Sequence, residues 1–346
     1  MGKIRVVVAE DSVTVRKHLV EVLQSDPGFE VVGEAENGKA AIGLCQALKP
    51  DVLTIDLIMP EMSGLAATEH LMAHQPLPIL VVSASTNRGE LFQTYDALAA
   101  GAVDVLEKPR SEEKTAEWDA RFISAVRVVS RIRVIRRTRP GAPVMPLPVQ
   151  PVRSAAISLV AIGTSTGGPG AIVSILRGLP GDYPLPILLV MHIAAPFAQA
   201  LGDWLDAQSA HRVRYASDGE ALDGLGPGVT MAPADVHLEV KGRQLKLTHG
   251  PERFSCRPSV DVLFESLAKE LGPQVAAFLL TGMGRDGAQG LLEIRRAGGH
   301  TVAQDEASSA VYGMPREAVG LGAAVRVLSL PEMPGELVRL AAGRSR

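Results

Sequence analysis

Carboxylates follow two short apolar segments near the start of the chain. Glu10 and Asp11 come directly after Ile4–Ala9, and Asp56 comes directly after Val52–Ile55. If these segments are parallel strands, their carboxyl ends meet along one edge of a sheet, where ligands bind. Three crowded carboxylates repel one another unless a cation joins them, and Mg²⁺ prefers oxygen ligands of this kind. The sequence therefore predicts a Mg²⁺ site at Glu10, Asp11 and Asp56.

A hydroxyl and an ammonium group follow the next two apolar segments. Ser83 comes after residues 79–82, and Lys108 comes after residues 104–106. Each of these polar residues taken alone could be a loop residue or a helix cap. All of them together, at matching positions of a repeated unit, suit an aspartyl phosphate. Asp56 would attack the phosphoryl group, while Ser83 and Lys108 would bind its oxygens.

A serine in a glycine-rich turn is a candidate nucleophile in the second half of the chain. The apolar residues 157–162 lead into a turn in which Gly163, Ser165 and Gly167 fit the pattern G-x-S-x-G. In that pattern a tight strand-to-helix turn exposes the serine hydroxyl. One alternative is a serine that only caps a helix. A phosphate-binding P-loop is excluded, because no Gly-Lys-Ser/Thr follows the glycines.

Two further apolar segments end near groups that could assist this serine. His192 follows residues 187–191, and Asp286 lies a few residues after 275–280. A serine, an imidazole and a carboxylate at one edge of a parallel sheet are what a catalytic triad requires. His300 is the alternative base, because the α/β-hydrolase order Ser…Asp…His would select it. His300 precedes its strand, however, and we therefore favour His192.

The loop around Asp286 also matches a nucleotide-binding pattern. Gly282, Gly284 and Gly287 fit G-x-G-x-x-G, and Asp305 follows about 20 residues later, as a dinucleotide fingerprint requires. Asp286 would, however, place a negative charge inside a loop that binds pyrophosphate. The loop also lies near the end of its domain rather than on the first β-α unit. A nucleotide site is therefore the weaker interpretation.

The elements that must position these groups alternate along the chain. Five strand–helix units in the first 110 residues predict a doubly wound parallel sheet. The alternation resumes at residue 155, with hairpins expected between Val213 and Leu247, where Gly242 suits a turn. The predicted fold is α/β, with two doubly wound parallel-sheet domains and an added hairpin region in the second.

An arginine- and proline-rich stretch separates the two predicted domains. It contains Arg127, Arg131, Arg133, Arg136, Arg137, Arg139, Pro140, Pro143, Pro146, Pro148 and Pro151. This composition favours a solvated helix end that runs into a stiff, extended linker. A docking strip for an acidic partner is the alternative. We predict domains at residues 1–125 and 155–346, joined by a linker at 126–154.

The overall composition excludes several classes of partner. The net charge of −3 gives no indication of nucleic-acid binding or of a membrane surface. No stretch approaches 18 uninterrupted apolar residues, and the first residues lack the features of a signal peptide. Cys45 and Cys256 lie far apart and form no metal-binding spacing; Cys45, on an apolar helix face, is expected to be buried. These features predict a cytoplasmic protein that neither binds nucleic acid nor inserts into membranes.

Residues 3–125 closely resemble the response-regulator receiver family. The motif residues are Glu10, Asp11, Asp56, Ser83 and Lys108. The resemblance implies a flavodoxin-like fold, Asp56 as the phosphoacceptor, and Glu10 and Asp11 as ligands of Mg²⁺. It also implies a histidine kinase as the phosphodonor. Val105, three residues before Lys108, stands where many members place an aromatic switch residue, so the usual ring rotation is in doubt here.

Residues 156–340 resemble the catalytic domain of the chemotaxis response-regulator protein-glutamate methylesterases, a Rossmann-like α/β domain. The matching segments are 163–168, His192, 232–233, 257–261, 280–287 and 304–315. By this resemblance Ser165 is the nucleophile, His192 is the general base and Asp286 orients it. The backbone N–H of Met283 helps to form the oxyanion hole.

The resemblance also implies an activity and its partners. The enzyme would hydrolyse glutamyl methyl esters and deamidate glutamines on chemoreceptors, be activated by phosphorylation, and oppose receptor methylation. Its partners would be a histidine kinase and the cytoplasmic helices of methylated chemoreceptors, and the hydrolase would need no cofactor. Thr164 and Met191 depart from the commoner Ala and Gln and could tune substrate preference. The alternatives are a non-catalytic response regulator, which the three triad candidates weigh against, and a hydrolase of another pathway.

Overall fold

The chain divides into two compact units, Met1–Thr138 and Arg139–Arg346. The structure is a computed structural model that describes residues 2–84, 87–109, 115–132, 134, 156–193, 195–198 and 200–343. Most of the predicted linker, including all of its prolines and every arginine from Arg133 onward, lies outside the described residues. Among the described residues, no helix has the length and apolar character needed to cross a membrane.

The first unit alternates strands and helices throughout its described residues. In chain order these elements are β1 (Ile4–Ala9), α1 (Val13–Ser25), β2 (Phe29–Ala35), α2 (Gly38–Leu48), β3 (Val52–Ile55), α3 (Gly64–His74), β4 (Ile79–Ser83), α4 (Arg88–Ala100), β5 (Asp104–Glu107) and α5 (Thr115–Val129). The strands pair in parallel in the order β2-β1-β3-β4-β5. The predicted doubly wound sheet is confirmed.

The central strand β1 shows why the sequence adopts this arrangement. Val6 and Val8 pack into one apolar cluster, with side chains of α1 and α5. Val7 and Ala9 point to the opposite face and pack into a second cluster, which contains the buried Cys45 of α2. Because helices cover both faces of a parallel sheet, its strands are apolar at every position rather than at alternate positions.

The second unit is built around a larger parallel sheet. Its described elements are β6 (Leu159–Thr164), α6 (Gly168–Gly178), β7 (Pro186–Met191), α7 (Ala195–Ala198), α8 (Leu201–Gln208), β8 (Val213–Tyr215), β9 (Gly228–Met231), β10 (His237–Lys241), β11 (Gln244–Thr248), α9 (Val260–Glu270), β12 (Val275–Leu279), α10 (Ala288–Arg296), β13 (His300–Gln304), α11 (Met314–Gly320), β14 (Arg326–Leu328) and α12 (Met333–Ala342). Seven of the strands pair in parallel in the order β14-β13-β12-β6-β7-β9-β8. The predicted fold class, two parallel-sheet α/β domains, is confirmed.

The region expected to form hairpins is only partly a hairpin. β10 and β11 pair antiparallel around Gly242, whose φ of +57° lies in the left-handed region that glycine favours. β8 and β9 instead extend the main sheet as parallel strands. Val229 and Met231 are buried on β9, because this short strand packs beside β7. The hairpin expected around Gly242 is therefore confirmed, whereas β8 and β9 form no further hairpin.

The last helix of the first unit continues past the predicted start of the linker. α5 ends at Val129, and both Val126 and Val129 are fully buried. Arg127 donates to Asp26 at 2.5 Å and its guanidinium lies 4.9 Å from the ring centre of Phe29. This part of the helix is therefore packed rather than merely solvated. The boundaries at 125 and 155 stay predictions.

Candidate phosphorylation and hydrolase sites

The predicted phosphorylation residues lie together at the carboxyl edge of the first sheet. The ammonium nitrogen of Lys108 lies 2.8 Å from Glu10 Oε2 and 2.9 Å from Asp56 Oδ2. Glu10, Asp11 and Asp56 each bring a carboxylate oxygen within 4.8 Å of the others. Ser83 is buried at the end of β4, where its carbonyl accepts the backbone N–H of Lys108 at 2.9 Å. Strand order thus gathers groups from β1, β3, β4 and β5.

Burial makes this cluster electrostatically costly without a cation. It raises the pKa of both Glu10 and Asp56, because a desolvated carboxylate is less stable as an anion. Burial alone would lower the pKa of Lys108, but its hydrogen bond to Glu10 and the charge of Asp56 outweigh burial and raise it. Three carboxylates against one ammonium leave an excess of negative charge. The oxygen ligands and their charge fit a hard divalent cation such as Mg²⁺.

A tight turn presents Ser165 directly after β6. The Ser165 N–H donates to the carbonyl of Thr281 at 3.0 Å, and the Gly168 N–H donates back to the Ser165 carbonyl at 2.7 Å. Gly167 between them has a φ of +78°, a left-handed conformation that suits glycine. Ser165 is half-buried. A methyl group at Gly282 would lie 2.8 Å from Ser165 Cβ, so the loop that begins at Gly282 passes directly beside the serine.

His192 and Asp286 form the second part of this site. His192 Nε2 lies 2.8 Å from Asp286 Oδ2. In the sheet, Thr164 pairs with Met191, and the His192 N–H donates to the Thr164 carbonyl at 3.0 Å. Ser165 and His192 each follow one residue after this pair, so the strand register places them side by side. The structure thus brings the three predicted residues to one edge of the second sheet.

The first turn of α9 holds the carboxylate of Asp286. The Ser259 hydroxyl donates to Oδ1 at 2.7 Å, the Val260 N–H to Oδ2 at 2.6 Å and the Asp261 N–H to Oδ1 at 3.1 Å. Burial would raise the pKa of Asp286, but the hydrogen bonds from His192, Ser259 and Val260 outweigh it and lower the pKa. Asp286 is therefore an anion at a positively polarised helix end, suited to orient an imidazole.

The two nitrogens of the His192 ring have different partners. Asp286 lies on Nε2, and the Cys256 sulfur lies 3.6 Å from Nδ1. Burial alone would lower the pKa of His192, but the hydrogen bonds to Asp286 and Cys256 outweigh it and raise the pKa to about 9. Because Asp286 occupies Nε2, Nδ1 is the nitrogen through which His192 could act as a base. The base form becomes more populated as the pH rises toward 9.

The loop from Gly282 to Gly287 lies at the candidate hydrolase site. The carbonyl of Gly282 accepts the N–H groups of Gly313 and Met314 at 3.1 and 2.9 Å, which fixes the loop beside Ser165. The Met283 side chain is exposed, and its backbone follows directly after the glycine that contacts Ser165. Asp305 accepts the N–H of Ser308 at 3.0 Å within a local turn. This loop and Asp305 are thus already used within the unit, which weighs against a nucleotide site.

The alternative base, His300, lies at the other end of the strands. It is the first residue of β13, whereas Ser165, His192 and Asp286 follow the carboxyl ends of their strands. His300 Nε2 lies 2.8 Å from Glu336 Oε1, and Glu336 also pairs with Arg326 and Arg339. His300 therefore lies away from Ser165, beside a buried carboxylate that two arginines also contact.

Two residues of the candidate hydrolase site were not predicted from the sequence. Ser259 contacts a carboxylate 27 positions away and Cys256 contacts an imidazole 64 positions away. A serine before the apolar stretch of α9 does signal a helix N-cap, and Ser259 accepts the Val262 N–H at 3.4 Å in that role. Neither the pattern nor the spacing shows that the same hydroxyl also holds Asp286.

Replacing Ser259 tests whether its hydrogen bond positions the triad. Ser259→Ala is expected to lower kcat of ester hydrolysis by roughly 10- to 100-fold with little change in KM, because a hydrogen bond to a charged group is worth about 1.5–3 kcal/mol. Steady-state kinetics measure both constants. Ser259→Thr keeps the hydroxyl and should recover most of the activity. Equal losses in the Ala and Thr variants would contradict a positioning role.

The fold and the two sites define a class of response regulators in which a receiver unit accompanies an α/β hydrolase unit. Comparison with known proteins agrees with this class. The family model described as response regulator receiver domain matches residues 6–117, and the model described as CheB methylesterase matches residues 160–337. The chain belongs to the CheB methylesterase family.

Relatives cover nearly the whole chain. It is 43% identical over 343 residues to a protein of Anaeromyxobacter dehalogenans named protein-glutamate methylesterase/protein-glutamine glutaminase 2, covering 97% of each chain. A relative from Caulobacter vibrioides, named protein-glutamate methylesterase/protein-glutamine glutaminase 1, is 42% identical over 99% of this chain and 100% of its own. The crystal structure of the Thermotoga maritima CheB methylesterase catalytic domain is 34% identical, with a TM-score of 0.51; the match covers 54% of this chain and 100% of that one.

Proposed function

We propose that this chain hydrolyses glutamyl methyl esters on chemoreceptors and so opposes receptor methylation in chemotaxis adaptation. The observation that carries the proposal is the contact of His192 Nε2 with the buried Asp286 at 2.8 Å. The pairing of β6 with β7 places Ser165 beside this histidine. The relatives named as protein-glutamate methylesterases supply the substrate class. A hydroxyl, a base and an orienting carboxylate are what acyl transfer to a serine requires.

The proposed mechanism proceeds through an acyl-enzyme. Ser165 attacks the ester carbonyl while His192 Nδ1 takes the hydroxyl proton, and the same nitrogen returns the proton to the departing methanol. Asp286 stays ionised and stabilises the imidazolium. The N–H of Met283, in the loop fixed beside Ser165, would donate to the oxyanion. Water then attacks the acyl-enzyme, again with His192 as the base, and releases the glutamate.

The same residues can deamidate glutamine. The carbonyl is attacked in the same way, and the leaving group is ammonia, which His192 protonates as it departs. This second activity follows the names of the relatives, which combine methylesterase with glutaminase. The hydrolase residues assigned here are all side chains or backbone groups of the protein itself. Thr164 and Met191 flank the site, where they could tune the substrate preference.

The receiver unit is proposed to control this activity through Asp56. Glu10, Asp11 and Asp56 would hold Mg²⁺, which neutralises charge on the phosphoryl group when it is bound. Asp56 would accept the phosphoryl group from a histidine kinase, and Lys108 and Ser83 would bind the phosphate oxygens. The contact of Lys108 with Asp56 at 2.9 Å supports this assignment. Val105 lies half-buried on β5, in place of an aromatic switch residue.

The partners follow from the two proposed activities. A histidine kinase would donate the phosphoryl group, and the cytoplasmic helices of methylated chemoreceptors would be the substrate. Both partners imply that the protein acts in the cytoplasm. We also propose the domain division stated for the sequence, with a receiver at residues 1–125 and a methylesterase domain at 155–346.

Methanol release from methylated receptor membranes tests the reaction and the choice of base together. We expect the wild-type chain to release methanol and His300→Ala to retain most of the wild-type rate. His192→Ala should lose at least about 10³-fold in rate, because that is the effect of losing a triad member. His300 is the matched control, because it is also a partly buried histidine paired with a carboxylate in this unit. Thermal melting shows whether each variant is folded. Loss of activity in a folded His300→Ala, with His192→Ala active, would reverse the assignment.

A further inference from the structure

The side chains around His192 form a group of mixed metal-binding chemistry. His192, Cys256 and Asp286 each offer a nitrogen, sulfur or oxygen atom, and these atoms lie within 4.8 Å of one another. Asp286 is buried, whereas His192 and Cys256 are half-buried. The Cys256 sulfur also lies 3.4 Å from the Phe254 carbonyl, which holds it in the loop before α9. Hydrolysis as proposed above uses His192 and Asp286 but has no role for this thiol.

We propose that this His192–Cys256–Asp286 cluster binds a thiophilic divalent cation, with Zn²⁺ the preferred ion, and that binding inhibits the hydrolase. Binding itself is independent of the reaction; the inhibition rests on the proposed function. The assignment concerns a site separate from the carboxylate cluster of the receiver unit. It makes the hydrolase half of the chain sensitive to a metal different from Mg²⁺.

The spacing of the sulfur and nitrogen atoms fits tetrahedral Zn²⁺. With Zn–S near 2.3 Å and Zn–N near 2.0–2.1 Å, the two ligand atoms of a tetrahedral site lie about 3.5 Å apart. Cys256 Sγ and His192 Nδ1 lie 3.6 Å apart. One ion can therefore contact both atoms with little movement of either side chain. Water or a nearby hydroxyl can fill the remaining coordination positions.

Asp286 supports the site by contacting His192 on the ring nitrogen that does not face the ion. A metal-binding histidine usually gives its other N–H to a carboxylate, which fixes the tautomer and makes the ring a stronger ligand. Asp286 lies 2.8 Å from His192 Nε2 and is itself held by Ser259 and the N–H of Val260. The protein thus fixes the ring so that Nδ1 faces the thiol.

The kind of ligand separates this site from the Mg²⁺ site. Thiolate and imidazole favour Zn²⁺ over Mg²⁺, which prefers oxygen ligands. Binding displaces the thiol proton of Cys256 and, below a pH of about 9, the Nδ1 proton of His192, and both protons go to solvent. The ion then occupies the lone pair of His192 Nδ1 that would accept the Ser165 proton. Hydrolysis therefore stops while the metal is bound, and a chelator restores it.

The test uses the full chain, freed of metal, with Zn²⁺ alone as the probe. Competition against a chromophoric chelator measures the Zn²⁺ affinity, and methanol release at the same free Zn²⁺ concentrations measures inhibition. We expect wild type and the control Cys45→Ala to bind equally and to be inhibited in parallel. Cys256→Ala and Cys256→Ser should each bind at least about tenfold more weakly, as expected for loss of a ligand. Each variant is compared with its own zinc-free rate.

A measurement on the unaltered chain guards against variants that fold poorly. Co²⁺ added in place of Zn²⁺ should give a sulfur-to-metal charge-transfer absorption band in wild type and Cys45→Ala, since only a thiolate ligand produces it. Unchanged Zn²⁺ affinity in folded Cys256→Ala, or no such band in wild type, would overturn the site. Zn²⁺ binding to a chain that releases no methanol from any methylated receptor would instead contradict the proposed function and leave the binding site standing.

Discussion

Ser165→Ala is expected to lower methanol release from methylated receptor by at least about 10³-fold. Removal of a serine nucleophile leaves only the catalysis that binding and oxyanion stabilisation provide. The fold should survive, because the contacts that build the turn use the backbone of Ser165: its N–H donates to Thr281 and its carbonyl accepts from Gly168. Initial rates of methanol release, with thermal melting of each variant, measure both effects.

The matched control for this variant is a serine that adjoins the opposite end of β6. Ser158 precedes β6 at its amino end, where its hydroxyl lies 3.5 Å from the Gln274 carbonyl. Ser158→Ala therefore removes a hydroxyl near β6 without touching the hydrolase site, and it should retain the wild-type rate. Methanol release by Ser165→Ala at a rate near that of Ser158→Ala would show that Ser165 is not the nucleophile.

The positions of the site residues were predictable where a strand end alone determines them. Glu10, Asp56 and Lys108 each follow an apolar segment, and parallel pairing brings such segment ends to one edge. The contact of His192 with Asp286 followed from the same rule in the second sheet. A strand buried on both faces is apolar along its length, so its end is visible in the sequence. Local pattern was sufficient for these groups.

Contacts that depend on a crossing connection were not predictable in this way. Cys256 and Ser259 lie on the segment that leads into α9, and this segment crosses the strand ends only once the sheet has formed. Likewise β8 and β9 have only three and four residues and lie in a stretch rich in glycine and proline, which favoured turns over strands. The pairing of β9 with β7 and of β8 with β9 depends on burial of Val229 and Met231, which no local pattern reveals.

The environment of Asp286 also depends on tertiary structure. In the sequence, its charge inside a glycine-rich loop only weakened the nucleotide interpretation. In the fold, the same charge meets the N-terminus of α9 and three hydrogen-bond donors there. A buried carboxylate without such donors would be costly. The donors therefore explain how this loop can carry an anion next to Ser165.

Asp56→Asn is expected to abolish phosphorylation of the receiver unit and all stimulation of methanol release by a phosphodonor. An amide cannot form the acyl phosphate, whereas the remaining contacts of the cluster persist, because Lys108 keeps its 2.8 Å contact with Glu10. Intact-protein mass after incubation with Mg²⁺ and acetyl phosphate measures phosphorylation. Methanol release with and without the phosphodonor measures stimulation. Glu69→Gln removes an exposed carboxylate of α3 in the same unit and serves as the control.

The same substitution should also stabilise the first unit near neutral pH. Burial raises the pKa of Asp56, so the ionised form is less favourable in the folded chain than in the unfolded chain. A raised carboxyl pKa means that folding stability falls as the pH rises through the titration range, and an uncharged amide escapes this loss. The charge of Asp56 also contributes to the raised pKa of Glu10, and Asn removes that repulsion.

Asp56→Asn should therefore melt at a higher temperature than wild type at pH 7, with a smaller difference at pH 4. A lower melting temperature would show that burial of the Asp56 charge does not destabilise the fold. Phosphodonor stimulation equal to that of Glu69→Gln would show that Asp56 does not accept the phosphoryl group.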